Sequence, residues 1–150
     1  MHSEISSYVT AVDHVGIAVP DLDAAIAFHH EHFGLAAVHQ EVNEAQGVRE
    51  AMLRAPGDDG EGTAVQLLAP LHEESPIARF LERGGPGLQQ LAYRVTDVET
   101  VAELLRAQGL RVLYETARPG TSNSLVNFVH PKDAGGVLVE LVQPAAGTEA

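Results

Sequence analysis

Four polar side chains interrupt otherwise apolar runs of this chain: His14 in "DHVGIAV", Gln66 in "AVQLLAP", Gln90 in "LQQLAYRV" and Glu140 in "VLVELVQP". One imidazole, two amides and one carboxylate suit a divalent ion of moderate hardness, such as cobalt, manganese, nickel or zinc. With coordination positions left open, such an ion acts as a Lewis acid on a substrate oxygen. Any one of the four, taken alone, reads as solvent-facing or as a hydrogen-bonded core residue. Strands alternate faces, and a buried polar group without a partner costs about 1–3 kcal/mol. Their spacing argues for more. His14 and Gln66 are 52 residues apart (66 − 14), and Gln90 and Glu140 are 50 apart (140 − 90). Glu50 shares the alternation of Met52 in "VREAML", which suggests an inward face, although an exposed strand glutamate is the ordinary alternative. The cluster His29, His30 and His32 does not gather on one side of a helix and reads as a surface face.

The matched spacings come from an internal repeat. "DHVGIAVPDLDAAIAFHHEHFGL" starts at Asp13 and "QQLAYRVTDVETVAELLRAQGL" at Gln89, an offset of 76 (89 − 13). "VQLLAP" and "VELVQP" repeat at an offset of 74 (139 − 65). Asp21 and Asp97 are predicted helix N-caps. Leu22, Ala25, Ile26 and Phe33 give the first helix its apolar spacing; Val98, Val101, Ala102 and Leu105 do so for the second. Gly34 and Gly109 are expected to end the two helices. "LAAVHQEV" and "VREAML" supply two further strands in the first half, "LRVLYET" and "SLVNFVH" two in the second. Each module is thus strand–helix–strand–strand–strand, over about 11–70 and 88–144, with a linker at 71–87 and a loose tail at 145–150. Within the linker, "SPIARFLERGG" predicts a short helix with Ser75 as N-cap and Pro76 at its first position. The expected fold is α+β: paired βαβββ modules forming a curved mixed sheet, with a metal-containing cleft inside.

Composition narrows the function. The 150 residues fit a single domain, and no apolar run approaches the roughly 18 residues of a membrane span. The N-terminus lacks the features of a secretion signal. The absence of cysteine excludes disulfides and thiolate metal sites and is compatible with the cytoplasm. A net charge of −12, with Lys132 the single lysine, shows no footprint for nucleic acid. An anionic substrate must be held by a local basic patch or a metal, against the field of the whole chain.

From about Val12 to Pro144 the chain resembles the vicinal-oxygen-chelate superfamily and, within it, the methylmalonyl-CoA epimerase family. "DHVGIAVPDLDAAIAF" and "GGVLVELVQP" carry the superfamily resemblance. "NEAQGVRE" and "ARPGTSNSLVNFVHPKDAGGVLVEL" are specific to the epimerases. The resemblance implies a homodimer, expected in the cytoplasm, with one divalent metal per subunit, cobalt first and zinc, nickel or manganese as alternatives. It implies His14, Gln66 and Glu140 as ligands. The family's Gly-Leu-His-His stretch is Gly-Leu-Gln-Gln here, so the fourth ligand would be the amide of Gln90. It also implies an acyl-CoA thioester substrate and two acid–base groups, Glu50 and Glu140, that invert the carbon between thioester and carboxylate through an enolate. Gln46, Arg118, Gly120, Ser122, Ser124 and Lys132 are the implied substrate contacts. Neither nucleic acid nor a membrane is an expected partner. A glyoxalase-type lyase and a metal-free antibiotic-sequestering protein are the alternatives on this scaffold. An extradiol dioxygenase is disfavoured, because His14 is the sole histidine at a ligand position.

Overall fold

The computed structural model describes residues 4–146. Its strands are β1 (Val9–Ala18), β2 (Ala36–Asn43), β3 (Val48–Arg54), β4 (Ala64–Pro70), β5 (Gly87–Val95), β6 (Arg118–Pro119), β7 (Leu125–Val129) and β8 (Leu138–Gln143). Its helices are α1 (Leu22–Phe33), α2 (Pro76–Gly84) and α3 (Val98–Ala107). The described residues divide into two compact units: residues 14–89, and residues 90–146 together with 4–13.

In the unit of residues 14–89 the strands run in the order β2-β3-β4-β1. β1 and β4 are parallel, while β2, β3 and β4 are antiparallel neighbours. α1 begins where Asp21 Oδ1 accepts a hydrogen bond from Ala24 N at 3.1 Å. It ends at Gly34, whose φ of 74° is the left-handed conformation that glycine adopts without a Cβ penalty. Leu22 of α1 is buried with Leu53 and Leu67 on one face of the sheet, and Ala25 and Ile26 pack against them. Burying a leucine of this kind contributes about 2 kcal/mol. Phe33, expected to share that face, is instead exposed and stacks edge-on with Phe28. α2 covers part of the other face: Ile77, Phe80 and Leu81 pack with Ala18, Val48 and Leu68. Ser75 is fully buried and caps α2, its Oγ accepting from Ile77 N at 3.1 Å.

In the other unit the order is β5-β8-β7-β6, with β5 parallel to β8 and the remaining pairs antiparallel. α3 is capped by Asp97, whose Oδ1 accepts from Thr100 N at 3.1 Å. Its C-cap is Gln108, and the expected left-handed Gly109 follows directly, with Leu110 N donating back to Leu105 O at 3.0 Å. Val98 and Val101 pack with Val95, Val129 and Leu141 on one face. Ala92, Val126, Phe128 and Val142 form a second cluster with Tyr114 and Leu138.

The strand expected over 110–116 does not form. Val112 makes an isolated bridge to Val129, and the two-residue β6 pairs with β7 farther on. The fully buried Asn127 explains the irregularity. Its Oδ1 accepts from Tyr114 N at 3.0 Å, and its Nδ2 donates to Tyr114 O at 3.0 Å. A side chain thus satisfies backbone groups that a regular ladder would have paired.

Candidate functional site

In the unit of residues 14–89, register gathers the polar residues on one face. Gly16 lies opposite Gln66, so His14 stands two positions earlier along the parallel pair. Met52 lies opposite Gln66, and Glu50 opposite Leu68. Side chains two apart on a strand, and those directly opposite across strands, share a face. His14, Glu50 and Gln66 are only 2%, 2% and 3% exposed. Gln66 Nε2 donates to Glu50 Oε2 at 3.1 Å, which orients a buried carboxylate. The same face carries α2 at the Leu68 end, so apolar packing adjoins Glu50.

β2 extends this face with two residues that sequence reasoning did not select. Glu41 lies opposite Glu50, His39 lies opposite Met52, and His39 Nε2 is 2.5 Å from Glu41 Oε1. Their spacing of two in a predicted strand was a usable signal for a shared face. Which face they share depends on a β-bulge between Ala37 and His39, and nothing in the local sequence marks it.

In the other unit, Gln90 lies opposite Leu138 and Ala92 opposite Glu140. Gln90 therefore stands to Glu140 as His14 stands to Gln66. Gln90 Nε2 donates to Glu140 Oε1 at 2.7 Å, and Glu140 is 6% exposed. The counterpart of Glu50 here is Val126, which lies opposite Val142, two residues beyond Glu140. The extra carboxylate belongs to the first module alone. Gln89 alternates to the other face, and its Oε1 is buried with no hydrogen-bond partner among the described residues.

The expected substrate contacts divide between the units. Arg118, Gly120, Ser122 and Ser124 share one segment, and Lys132 lies in the turn after β7. The Arg118 guanidinium lies 3.9 Å from the centre of the Tyr114 ring. Gly120 N donates to Ser124 O at 2.9 Å, closing a tight loop. A Cβ at Gly120 would come within 2.6 Å of Val126 Cγ1 and 2.8 Å of Ser124 Oγ, so only glycine fits. Within that loop Ser122 and Asn123 have φ of 55° and 61°. Backbone of this kind costs about 1–3 kcal/mol per residue and concentrates at ligand-contacting segments. Lys132 N donates to His130 Nδ1 at 3.1 Å. Arg111 holds the carboxyl of neighbouring Asp133 well below the usual carboxylate range, through paired side-chain hydrogen bonds and then its own backbone N–H. Gln46 sits in the β2–β3 turn, its backbone N donating to Asn43 Oδ1 at 3.1 Å.

No group of three or more His, Cys, Asp or Glu side chains able to hold a metal occurs among the described residues. The expected ligands draw two of their four donors from glutamine. In each unit the glutamine Nε2 is turned onto a carboxylate, so the carbonyl oxygen is the atom a cation would take. One unit thus offers an imidazole nitrogen and an amide oxygen and the other an amide oxygen and a carboxylate, donor types that a divalent ion of moderate hardness takes. No helix among the described residues is long and apolar enough to cross a membrane.

Comparison with known proteins points the same way. A profile of the Glyoxalase/Bleomycin resistance protein/Dioxygenase superfamily matches residues 13–128. The crystal structure of methylmalonyl-CoA epimerase from Mycobacterium tuberculosis superposes with a TM-score of 0.87 at 55% identity, over 97% of this chain and 93% of that one. A substituted Streptomyces coelicolor methylmalonyl-CoA epimerase, in complex with 2-nitronate-propionyl-CoA, gives a TM-score of 0.87 at 43% identity, over 92% of this chain and 99% of that one. An ethylmalonyl-CoA/methylmalonyl-CoA epimerase of Cereibacter sphaeroides is 37% identical over 134 residues, 88% of this chain and 96% of the relative. The chain belongs to the Glyoxalase/Bleomycin resistance protein/Dioxygenase superfamily and, within it, to the methylmalonyl-CoA epimerase family.

Proposed function

We propose that this protein interconverts (R)- and (S)-methylmalonyl-CoA by removing and returning the proton at C2. The observation that carries the reading is Glu50: a carboxylate 2% exposed, on a strand face, held by the amide of Gln66. A carboxylate buried on a strand face and oriented by a side-chain amide suits a general base. Its relatives are named for the matching reaction.

His14 and Gln66 of one unit and Gln90 and Glu140 of the other are the proposed metal ligands. When bound, a divalent ion supplies Lewis-acid stabilisation of the negative charge that develops on the thioester oxygen. Glu50 removes the C2 proton. Gln66 fixes the direction of its carboxylate, and the packed Leu68 beside it limits access of water. Glu140 is the proposed acid–base group for the opposite side of the carbon, with Gln90 orienting it. Arg118, Ser122, Ser124, Lys132, Gln46 and the backbone at Gly120 are the proposed grips on the thioester, carboxylate and phosphates. Cobalt is the preferred ion in this reading, and the enzyme works as a cytoplasmic homodimer.

The test supplies one epimer of methylmalonyl-CoA, with cobalt, zinc, nickel or manganese in turn, and resolves the two epimers over time. The expected outcome is an equal mixture of epimers with at least one metal and a strongly reduced rate after chelation. Persistence of the single epimer with every metal overturns the reading.

A further inference from the structure

We propose that Tyr114 is a positioning residue: its ring holds the Arg118 guanidinium on the sheet face that carries Glu140, where Arg118 grips the free carboxylate of the acyl group. The proposal rests on the epimerase reading above and lies within the unit that contains residues 90–146.

Register sets the face. Arg118 lies opposite Val126, Val126 opposite Val142, and Phe128 opposite Glu140. Directly opposite residues share a face, as do residues two apart on a strand, so Arg118, Phe128 and Glu140 stand on the same side of the sheet. Two strand spacings and two residues separate Arg118 from Glu140, roughly 12 Å between backbone positions. With C2 at Glu140, the phosphates of CoA lie a whole pantetheine arm away. A cation on this face therefore meets the acyl end of the substrate.

The ring is fixed independently of Arg118. The fully buried Asn127 holds both Tyr114 N and Tyr114 O at 3.0 Å. The Tyr114 ring meets the buried Phe128 edge-on, with centroids 5.8 Å apart and planes at 88°. The exposed Arg118 places its Cζ 3.9 Å from the centre of that ring. Such a contact covers one face of a guanidinium and leaves its in-plane N–H groups for a bidentate acceptor. The other arginines of this unit are committed: Arg94 to Asp13 at 2.8 Å, Arg111 to Asp133 at 2.9 Å and Arg106 to Tyr114 O at 2.5 Å. Arg118 enters no ion pair among the described residues. In a chain of net charge −12, a guanidinium kept on a ring rather than on a carboxylate is set up for an incoming anion.

The test uses the metal-loaded enzyme and one epimer of methylmalonyl-CoA, with malonyl-CoA and propionyl-CoA as competing ligands. Malonyl-CoA keeps the carboxylate and propionyl-CoA lacks it. Tyr114→Leu, which still packs an apolar side chain beside Phe128, should raise KM on the order of tenfold with kcat nearly unchanged. Tyr114→Phe keeps the ring and should restore KM. Arg118→Ala should raise KM at least as much, and adding Tyr114→Leu to it should cost nothing more, because the ring acts through the guanidinium. Arg118→Ala and Tyr114→Leu should each weaken inhibition by malonyl-CoA and leave inhibition by propionyl-CoA at the wild-type level. An unchanged KM in either variant, or losses that simply add in the double variant, overturns the positioning role. Equal weakening of both inhibitors overturns the carboxylate assignment. Each of these results leaves the epimerase reading intact, whereas a wild-type enzyme that interconverts no epimers overturns both.

Discussion

Glu50 and Val126 occupy corresponding places in two copies of one module, and only Glu50 can take a proton. Glu140 and Gln66 likewise correspond, yet one is a carboxylate and the other an amide. The repeat thus places matched positions, and the residue types at His14/Gln90, Gln66/Glu140 and Glu50/Val126 differ between the copies. Glu50→Gln keeps the size of the side chain but removes the base. Its kcat is expected to fall on the order of 10² to 10⁴-fold while bound metal, measured by elemental analysis, stays at the wild-type level. Glu140→Gln should instead lower the metal content itself. Wild-type turnover in Glu50→Gln would remove Glu50 from the mechanism, and undiminished metal in Glu140→Gln would remove Glu140 from the ligand set.

At the scale of elements, caps and period made both long helices legible. Asp21 and Asp97 stand just before apolar positions with helical spacing, and each side chain accepts the expected backbone N–H. The segment over 110–116 was not legible. "LRVLYET" alternates like a strand, but pairing is a long-range property, and the residue that disrupts it is Asn127, far along the chain. The bulge that aims Glu41 at Glu50 was hidden for the same reason, since register is not written locally. Asn127→Ala would leave Tyr114 N and Tyr114 O without their side-chain partner, and should cost about 2–3 kcal/mol by urea unfolding. Wild-type stability in that variant would show that water replaces the amide. The Arg111–Asp133 pair fastens the same segment to the turn after β7. Asp133 has a folded pKa below its unfolded value near 4, so its contribution is present above that value and lost as pH falls through the lower folded one. The gap in unfolding midpoint between wild type and Asp133→Asn should hold steady above about pH 5 and narrow below about pH 4. A gap that widens with acid would contradict the assignment.

For the whole molecule, the repeat and its four polar residues in apolar strands pointed to a metal site on a duplicated α+β scaffold, and the resemblance carried by "NEAQGVRE" and "ARPGTSNSLVNFVHPKDAGGVLVEL" pointed to the reaction. The net charge also means that binding of an acyl-CoA owes nothing to a general attraction, and depends on local groups and on the metal. The central claim is that this scaffold removes and returns a proton at C2. Incubating the metal-loaded enzyme with one epimer of methylmalonyl-CoA in deuterated water tests it directly, by mass spectrometry and resolution of the epimers. The newly formed epimer should carry solvent deuterium at C2, and Glu50→Gln should nearly abolish its appearance. A new epimer formed without deuterium, or no new epimer with any divalent metal, would contradict it.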